Sequence, residues 1–422
     1  MLLSYKNWKI WLNSLPWSLK WFIILILIRP VVDNFYYLKE ISPLFSPLYI
    51  VGIITPVLAV YAMFTISKPN YSRLDTYMGI FSVLIAVSCI SLMISDAFSL
   101  NSMEFTLKFS FPFFMYFFCR RLIRSKEDLY GVLQAFIYSA FFVIAIFCYE
   151  LIFDPINIQI SRGMERFQGS YADIMNYAIY MSLGFLIICY AFIARSTNEY
   201  TSSNRFVPLI VTLILCVLLL FNIHHTASYM VFFTLVILFL LHTLKANFGY
   251  GALIIVAIGG AIYFTGSDSL NEKIRPLIET DISVYEGEKD SDQLFHGRVG
   301  RWIRFFDHFN SKNTFIQLFG LPLGMDSPYT YIAKGSHNDF VRTTMLNGYI
   351  GLIVYVLILI NLATRILSYK LPVRFLGFGT LAIITLYSIS TTPLLYPPLM
   401  YIVLPVFAML ALPNQIMDGT NE

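Results

Sequence analysis

The chain has 422 residues, of which 57% are hydrophobic and 13% charged, and its mean hydropathy is +0.68. Soluble domains are about half apolar and about a quarter charged, so this composition excludes a conventional soluble enzyme and points to a polytopic membrane protein. The net charge of +4 includes no basic tail of the kind that grips nucleic acid, and no nucleic-acid partner is expected.

The five cysteines, Cys89, Cys119, Cys148, Cys189 and Cys216, all lie in or beside apolar runs and show no CxxC spacing. Neither a disulfide framework nor a zinc site is expected. The first apolar run lacks a small-x-small cleavage pattern and is followed by more spans, so no cleavable signal is expected.

Runs long enough to cross a bilayer need about 17–25 apolar residues. About twelve are expected, at 18–38, 44–66, 76–95, 103–119, 129–152, 174–194, 206–223, 228–244, 248–265, 339–367, 375–391 and 396–413. In the first, Arg29 and Asp33 are spaced i, i+4; charges at that depth face the bundle interior, and a structural pair is the first reading, a substrate groove the second. In the fourth, Glu104 and Lys108 have the same spacing and pair along one helical face.

Basic residues recur on alternate loops: Lys6, Lys9 and Lys20; Lys68 and Arg73; Arg120, Arg121, Arg124 and Lys126; Arg195 and Arg205; Lys245; then Arg365, Lys370 and Arg374. The intervening short loops carry only Lys39, Arg162 and Arg166. By the positive-inside rule both termini are then cytoplasmic, and the loops at 153–173, 222–228 and 266–338 lie outside. The expected fold is a single all-α membrane bundle, residues 1–422, with one large outer loop at 266–338 carrying the site.

Within the loop at 153–173, Arg162, Arg166 and Asp173 are close in sequence; Arg166 either meets a glycan or phosphate or pairs locally with Glu165 or Asp173. His224 and His225 follow at the next outer turn, as a polar surface turn or as phosphate contacts. Residues 280–293 are acidic and polar, a solvated surface or a lid.

From Arg298 to about Asn310, Trp302, Phe305, Phe306 and Phe309 recur at helical spacing and form one apolar stripe. Arg298 falls on the edge of that stripe, and Arg301, Arg304 and His308 lie to one side. Such a helix lies at the membrane surface, where guanidinium groups suit phosphate because their planar donors engage two oxygens. The alternative is that they snorkel to headgroups.

The following stretch reads GSHNDFVRTTMLNGYIG. Ser336 is the expected N-cap, with Asp339 as its capping-box partner. His337 then sits in the first helical turn, where the positive helix end holds its pKa below about 6.5. A neutral imidazole there can accept a hydroxyl proton; the alternative is a capping histidine. Lys334 and Arg342 flank it, available to phosphate or to the helix's own acids.

GRVGRW, LFGLPLG (318–324), SHNDF and LNGYIGL (346–352) together resemble the outer loop of the O-antigen ligase and polymerase family, most strongly over about residues 295–352. RPVVDNF in the first span looks like the polymerase side. The resemblance implies bacterial inner-membrane glycosyltransferases of GT-C-type helical fold, working on the periplasmic face without metal or other cofactor. The implied partners are undecaprenyl-pyrophosphate-linked glycans as donor and acceptor, membrane lipids and a chain-length regulator. By the same resemblance His337 is the base and Arg298 a pyrophosphate ligand. From the residues themselves, Arg301, Arg304, Arg166, Arg162, Lys334, Asn338 and His225 are the further candidate substrate contacts. A second family arginine is replaced here, in IHHTASYM (223–230), by Ala227 or Ser228. A polymerase of repeat units is the first reading, a ligase to lipid A core the second, and a transporter of lipid-linked sugars a rival of another class.

Overall fold

The computed structural model describes residues 2–41, 46–67, 69–95, 98–161, 164–196, 222–246, 279–320 and 335–413, with isolated residues between 211 and 219 and between 252 and 259. Among these the chain is helical apart from one short hairpin. The principal helices are α1 Tyr5–Ser14, α2 Trp17–Asn34, α3 Pro47–Thr65, α4 Arg73–Ser95, α5 Leu100–Leu122 and α6 Lys126–Ile152, with a single turn at Leu38–Ile41 between α2 and α3. The hairpin, β1 Ile158–Ser161 and β2 Met164–Phe167, pairs Gln159 with Arg166. Then come α7 Ile174–Ser196, α8 Thr226–Ala246, α9 Leu294–Asn310, α10 Thr314–Phe319, α11 Asp339–Leu367, α12 Leu371–Ser390 and α13 Pro397–Leu410.

Seven helices among the described residues, α3, α4, α6, α7, α8, α11 and α12, are long and apolar enough to cross a membrane. The expected spans at 206–223 and 248–265 lie mostly outside the described residues. Two further long helices, α2 and α5, carry more charge, and each holds one ion pair within itself. Arg29 Nε meets Asp33 Oδ1 at 2.7 Å, and the Tyr180 hydroxyl donates to the same carboxylate at 3.1 Å. Lys108 pairs with Glu104 one turn away. These are the two pairs expected from i, i+4 spacing.

α13 has only 14 residues, yet every position from Pro398 to Leu410 is buried. A helix apolar all round belongs inside a bundle, and α13 packs against α5, α6, α7 and α12. Tyrosine hydroxyls buried around it find partners, as burial requires: Tyr401 with Thr55 at 3.1 Å and Tyr387 with Ser182 at 3.2 Å. The amphipathic α1 is an addition to the expected spans. Its Trp8 and Trp11 indoles donate to the Gly131 carbonyl and Asp128 on α6, at 2.9 and 3.0 Å.

α11 breaks once, at Gly348, whose φ of 68° and ψ of −175° are not helical. Gly320, just past α10, has φ 95° and ψ 173°. Only glycine takes this backbone region freely. Here it lets two main chains touch: a Cβ on Gly348 would lie 2.1 Å from the Leu318 carbonyl oxygen, and one on Gly320 would lie 2.1 Å from that of Leu346. Thus LFG and LNG, apart in sequence, form one backbone junction that ties α10 to α11.

Four arginines gather at one end of the bundle. Arg120 reaches Asp75 and the Asn70 carbonyl, Arg124 the Ser67 carbonyl, Arg365 the Leu410 carbonyl and Arg374 the Leu367 carbonyl. The hairpin, the start of α8, α9 and the start of α11 gather at the opposite end.

Candidate functional site

The site is built on the carbonyl end of α12. The last carbonyls of a helix have no partner within it and carry the negative end of its dipole. Two side chains from elsewhere answer them. Arg298 on α9 donates to the Ser390 carbonyl at 2.8 Å, and the Asn338 amide donates to the Ile389 carbonyl at 3.1 Å. One helix end therefore holds both the arginine helix and the histidine turn.

α9 is stitched to that turn twice more. Arg301 donates to the Gly335 carbonyl and Trp302 Nε1 to the Ser336 carbonyl, both at 2.8 Å. The apolar stripe behaves as its spacing implies: Phe305 and Phe309 are buried, with Trp302 and Phe306 packed beside them. Phe295 and Gly297, with φ of 49° and 77°, distort the first turn of α9, so its regular part starts near Arg298. The acidic segment before it is folded, and Asp281 accepts from the Phe295 amide at 2.6 Å.

The histidine turn departs from the expected capping. The N-cap of α11 is Asn338, not Ser336. Asn338 has extended backbone, and its Oδ1 accepts from the amides of Phe340 and Val341 at 2.9 and 3.0 Å. The Ser336 hydroxyl instead donates to the Asn338 carbonyl at 3.1 Å. His337 adopts a left-handed φ of 45°, which turns the chain so that the cap moves two residues on. Asn338 thus uses both ends of its amide on the fold, and His337 stands just outside the helix. Its position, not the helix dipole alone, sets its chemistry. The residue is exposed, yet the protein around it removes part of its water, and this lowers its pKa below the usual 6.5; Arg298 and Arg301 lower it further, while Asp173 opposes them. The imidazole's neutral form is favoured, with two cations and a carboxylate as electrostatic neighbours.

Asp173 was legible only as a loop acid. In the structure the Tyr396 hydroxyl donates to its Oδ2 at 2.9 Å, and its Oδ1 accepts from the Met175 amide at 3.1 Å. That contact joins the start of α7 to the turn before α13 and brings the carboxylate toward His337.

Beside Arg298 is a cavity of about 290 Å³, lined among others by Arg166, His224, His225, Ala227, Arg298 and Trp302. The hairpin brings Arg166 there, and Arg166 is buried. Glu150 fixes the hairpin's root, accepting from the Ile156 amide at 3.0 Å and the Tyr177 hydroxyl at 2.6 Å. His225 shares a 2.9 Å hydrogen bond with Ser228 at the start of α8. His224, like His337, is left-handed, with φ 45°. Strained backbone tends to collect at functional sites, and three non-glycine examples, His224, Phe295 and His337, flank this one.

The remaining expected residues separate clearly. Arg304 is exposed on α9 and does not line the cavity. Arg162 and Lys334 lie outside the described residues. Arg342 does not face the site: it is fully buried, ion-paired with Asp339 and 5.2 Å from the Phe109 ring centre. Asp339, expected to complete a capping box with Ser336, also accepts from the Leu394 amide at 3.0 Å. It fastens the turn before α13 to α11.

Together these groups supply guanidinium donors beside an apolar cavity, with a histidine on the turn that Arg301 and Trp302 hold and Asp173 as a carboxylate within electrostatic influence of it. Comparison of the chain with protein-family models and with curated proteins finds no match to either.

Proposed function

We propose that this chain is an inverting, metal-independent membrane glycosyltransferase that lengthens glycans carried on a polyprenyl pyrophosphate, in the manner of an O-antigen polymerase. The observation that carries the reading is that Arg298 and Asn338, the residue after His337, dock on the adjacent Ser390 and Ile389 carbonyls, beside a cavity lined by Arg298 and Arg166. Phosphate-binding donors next to a neutral base are what a single displacement on such a donor needs.

In the proposed reaction His337 takes the proton of the acceptor hydroxyl. That oxygen attacks the anomeric carbon from the face opposite the pyrophosphate. The carbon–oxygen bond to pyrophosphate breaks, and the departing anion keeps the electron pair, stabilised by Arg298 and Arg166. Arg166 and His225 line the same cavity as Ala227, so they supply the contact that the resembling family draws from its second arginine. Asp173 stabilises the imidazolium until the proton leaves.

The same proposal includes about twelve spans in a GT-C-type arrangement, cytoplasmic termini and a site facing the periplasm. Its support is the gathering of Arg120, Arg124, Arg365 and Arg374 at the end away from His337, the end the positive-inside rule assigns to the cytoplasm.

The test is purified protein in detergent with a lipid-linked oligosaccharide, read by the length of the glycan. Wild type lengthens it with no membrane present, and His337→Ala loses about 10²–10⁴-fold in rate, the usual share of a general base. Full activity in His337→Ala would remove the base. Absence of lengthening by wild type would favour a transporter. Transfer only to a lipid A core acceptor would favour a ligase.

A further inference from the structure

A second cavity, of about 510 Å³, lies at the other end of the bundle. It sits where α4 begins and where α11 and α13 end, and Ser72, Arg73, Asn361, Thr364, Arg365 and Ser368 are among its lining residues. From His337 to Arg365 is most of the 29-residue α11, roughly 40 Å at 1.5 Å per residue. The cavity therefore has no part in the site described above.

Its chemistry is one-sided. Two guanidiniums line it, and among the described residues no carboxylate does. The nearest acid on α4, Asp75, is already held by Arg120 at 2.8 Å and by the Tyr116 hydroxyl at 2.7 Å. Arg365 is fixed by the Leu410 and Leu412 carbonyls at 2.7 and 3.3 Å, which holds its fork in place. The start of α4 adds the positive end of a helix dipole. Asn361 Oδ1 is buried with no hydrogen-bond partner among the described residues, although buried amides are rarely left so. Hydroxyl and amide side chains, with Ala411 and Pro413, complete the wall. The volume is within the range of small-ligand sites, about 300–1,000 Å³.

We infer that this cavity binds a phosphate ester, with Arg73 and Arg365 on the phosphate oxygens and Asn361 on a hydroxyl of the ester's alcohol. Its volume and basic wall suit the headgroup of an anionic phospholipid. α4 and α11 both qualify as membrane spans, and their outer faces expose Val83, Val87, Ile353 and Ile360, an apolar track for acyl chains. Basic pockets between spans take such headgroups by the same physics. A soluble phosphate ester would use the same donors.

The experiment uses the full-length protein in mild detergent. Native mass spectrometry follows retention of phosphatidylglycerol against phosphatidylcholine, and a thermal shift compares inorganic phosphate with chloride at equal ionic strength. Selective retention of phosphatidylglycerol identifies the lipid as the source; stabilisation by inorganic phosphate without lipid selectivity identifies a soluble ester. In either case Arg73→Gln weakens binding about fivefold, the effect of one basic contact at the membrane surface, and Asn361→Ala weakens it as well. Arg73 is exposed, so its loss leaves folding intact. Equal retention of both lipids with no phosphate response overturns the inference, and so does an Arg73→Gln protein that binds as wild type does.

Discussion

Gly348→Ala tests the junction between α10 and α11. Alanine at φ 68°, ψ −175° enters a region nearly reserved to glycine, at about 1–3 kcal/mol. Its methyl carbon would also lie 2.1 Å from the Leu318 carbonyl oxygen. Real Cβ atoms essentially never come closer than 3.0 Å, so one main chain must retreat by about 0.9 Å, an overpacking cost of about 1–3 kcal/mol more. The sum, about 2–6 kcal/mol, is a large part of the stability of an ordinary domain. Gly79→Ala is the control, since an added Cβ at this mid-helix position in α4 meets nothing within 4 Å, and alanine there stabilises by up to about 1 kcal/mol. Thermal denaturation in detergent should place Gly348→Ala well below wild type and Gly79→Ala at or above it. A Gly348→Ala protein as stable as Gly79→Ala would refute the close approach of the two backbones.

Three further outcomes are expected. Arg298→Ala should lose at least about tenfold more transfer activity than Arg304→Ala, because a hydrogen bond to a charged group contributes about 1.5–3 kcal/mol and Arg304 is exposed, away from the cavity; equal small losses would favour headgroup snorkelling for both. The acid limb of the pH–rate profile should lie below 6.5, since desolvation, Arg298 and Arg301 all lower the His337 pKa and the base works only when unprotonated. Arg298→Gln removes one lowering charge, so the limb of its residual activity should move to higher pH; a move the other way would remove Arg298 from the neighbourhood of His337. Arg120→Ala leaves Asp75 buried without its ion pair and should destabilise by about 3–5 kcal/mol, read as a lower melting temperature with no change in insertion.

The sequence by itself determined what depends on neighbours along the chain. Composition and run length specified a helical membrane protein, because a bilayer accepts only segments that satisfy their own backbone. The periodicity of Trp302, Phe305, Phe306 and Phe309 specified a surface helix with one buried face. Spacing by four residues specified the Arg29–Asp33 and Glu104–Lys108 pairs, because one helical turn brings such residues together whatever lies around them.

The tertiary structure decided everything that joins distant residues. Ser336 and Asn338 are both good caps by type, and only the left-handed bend at His337 chooses Asn338. Arg342 reads as available either to phosphate or to the helix's own acids, and only the packing of α11 decides for the second, burying it against Asp339 and Phe109. Asp173 and Tyr396 are 223 residues apart, and the hairpin carries Arg166 to a cavity walled by α8, α9 and α12. No local spacing encodes such meetings, because they depend on how the helices stack and on which helix end is left needing a donor. The carbonyl end of α12 is that end, and by accepting from Arg298 and Asn338 it assembles the site.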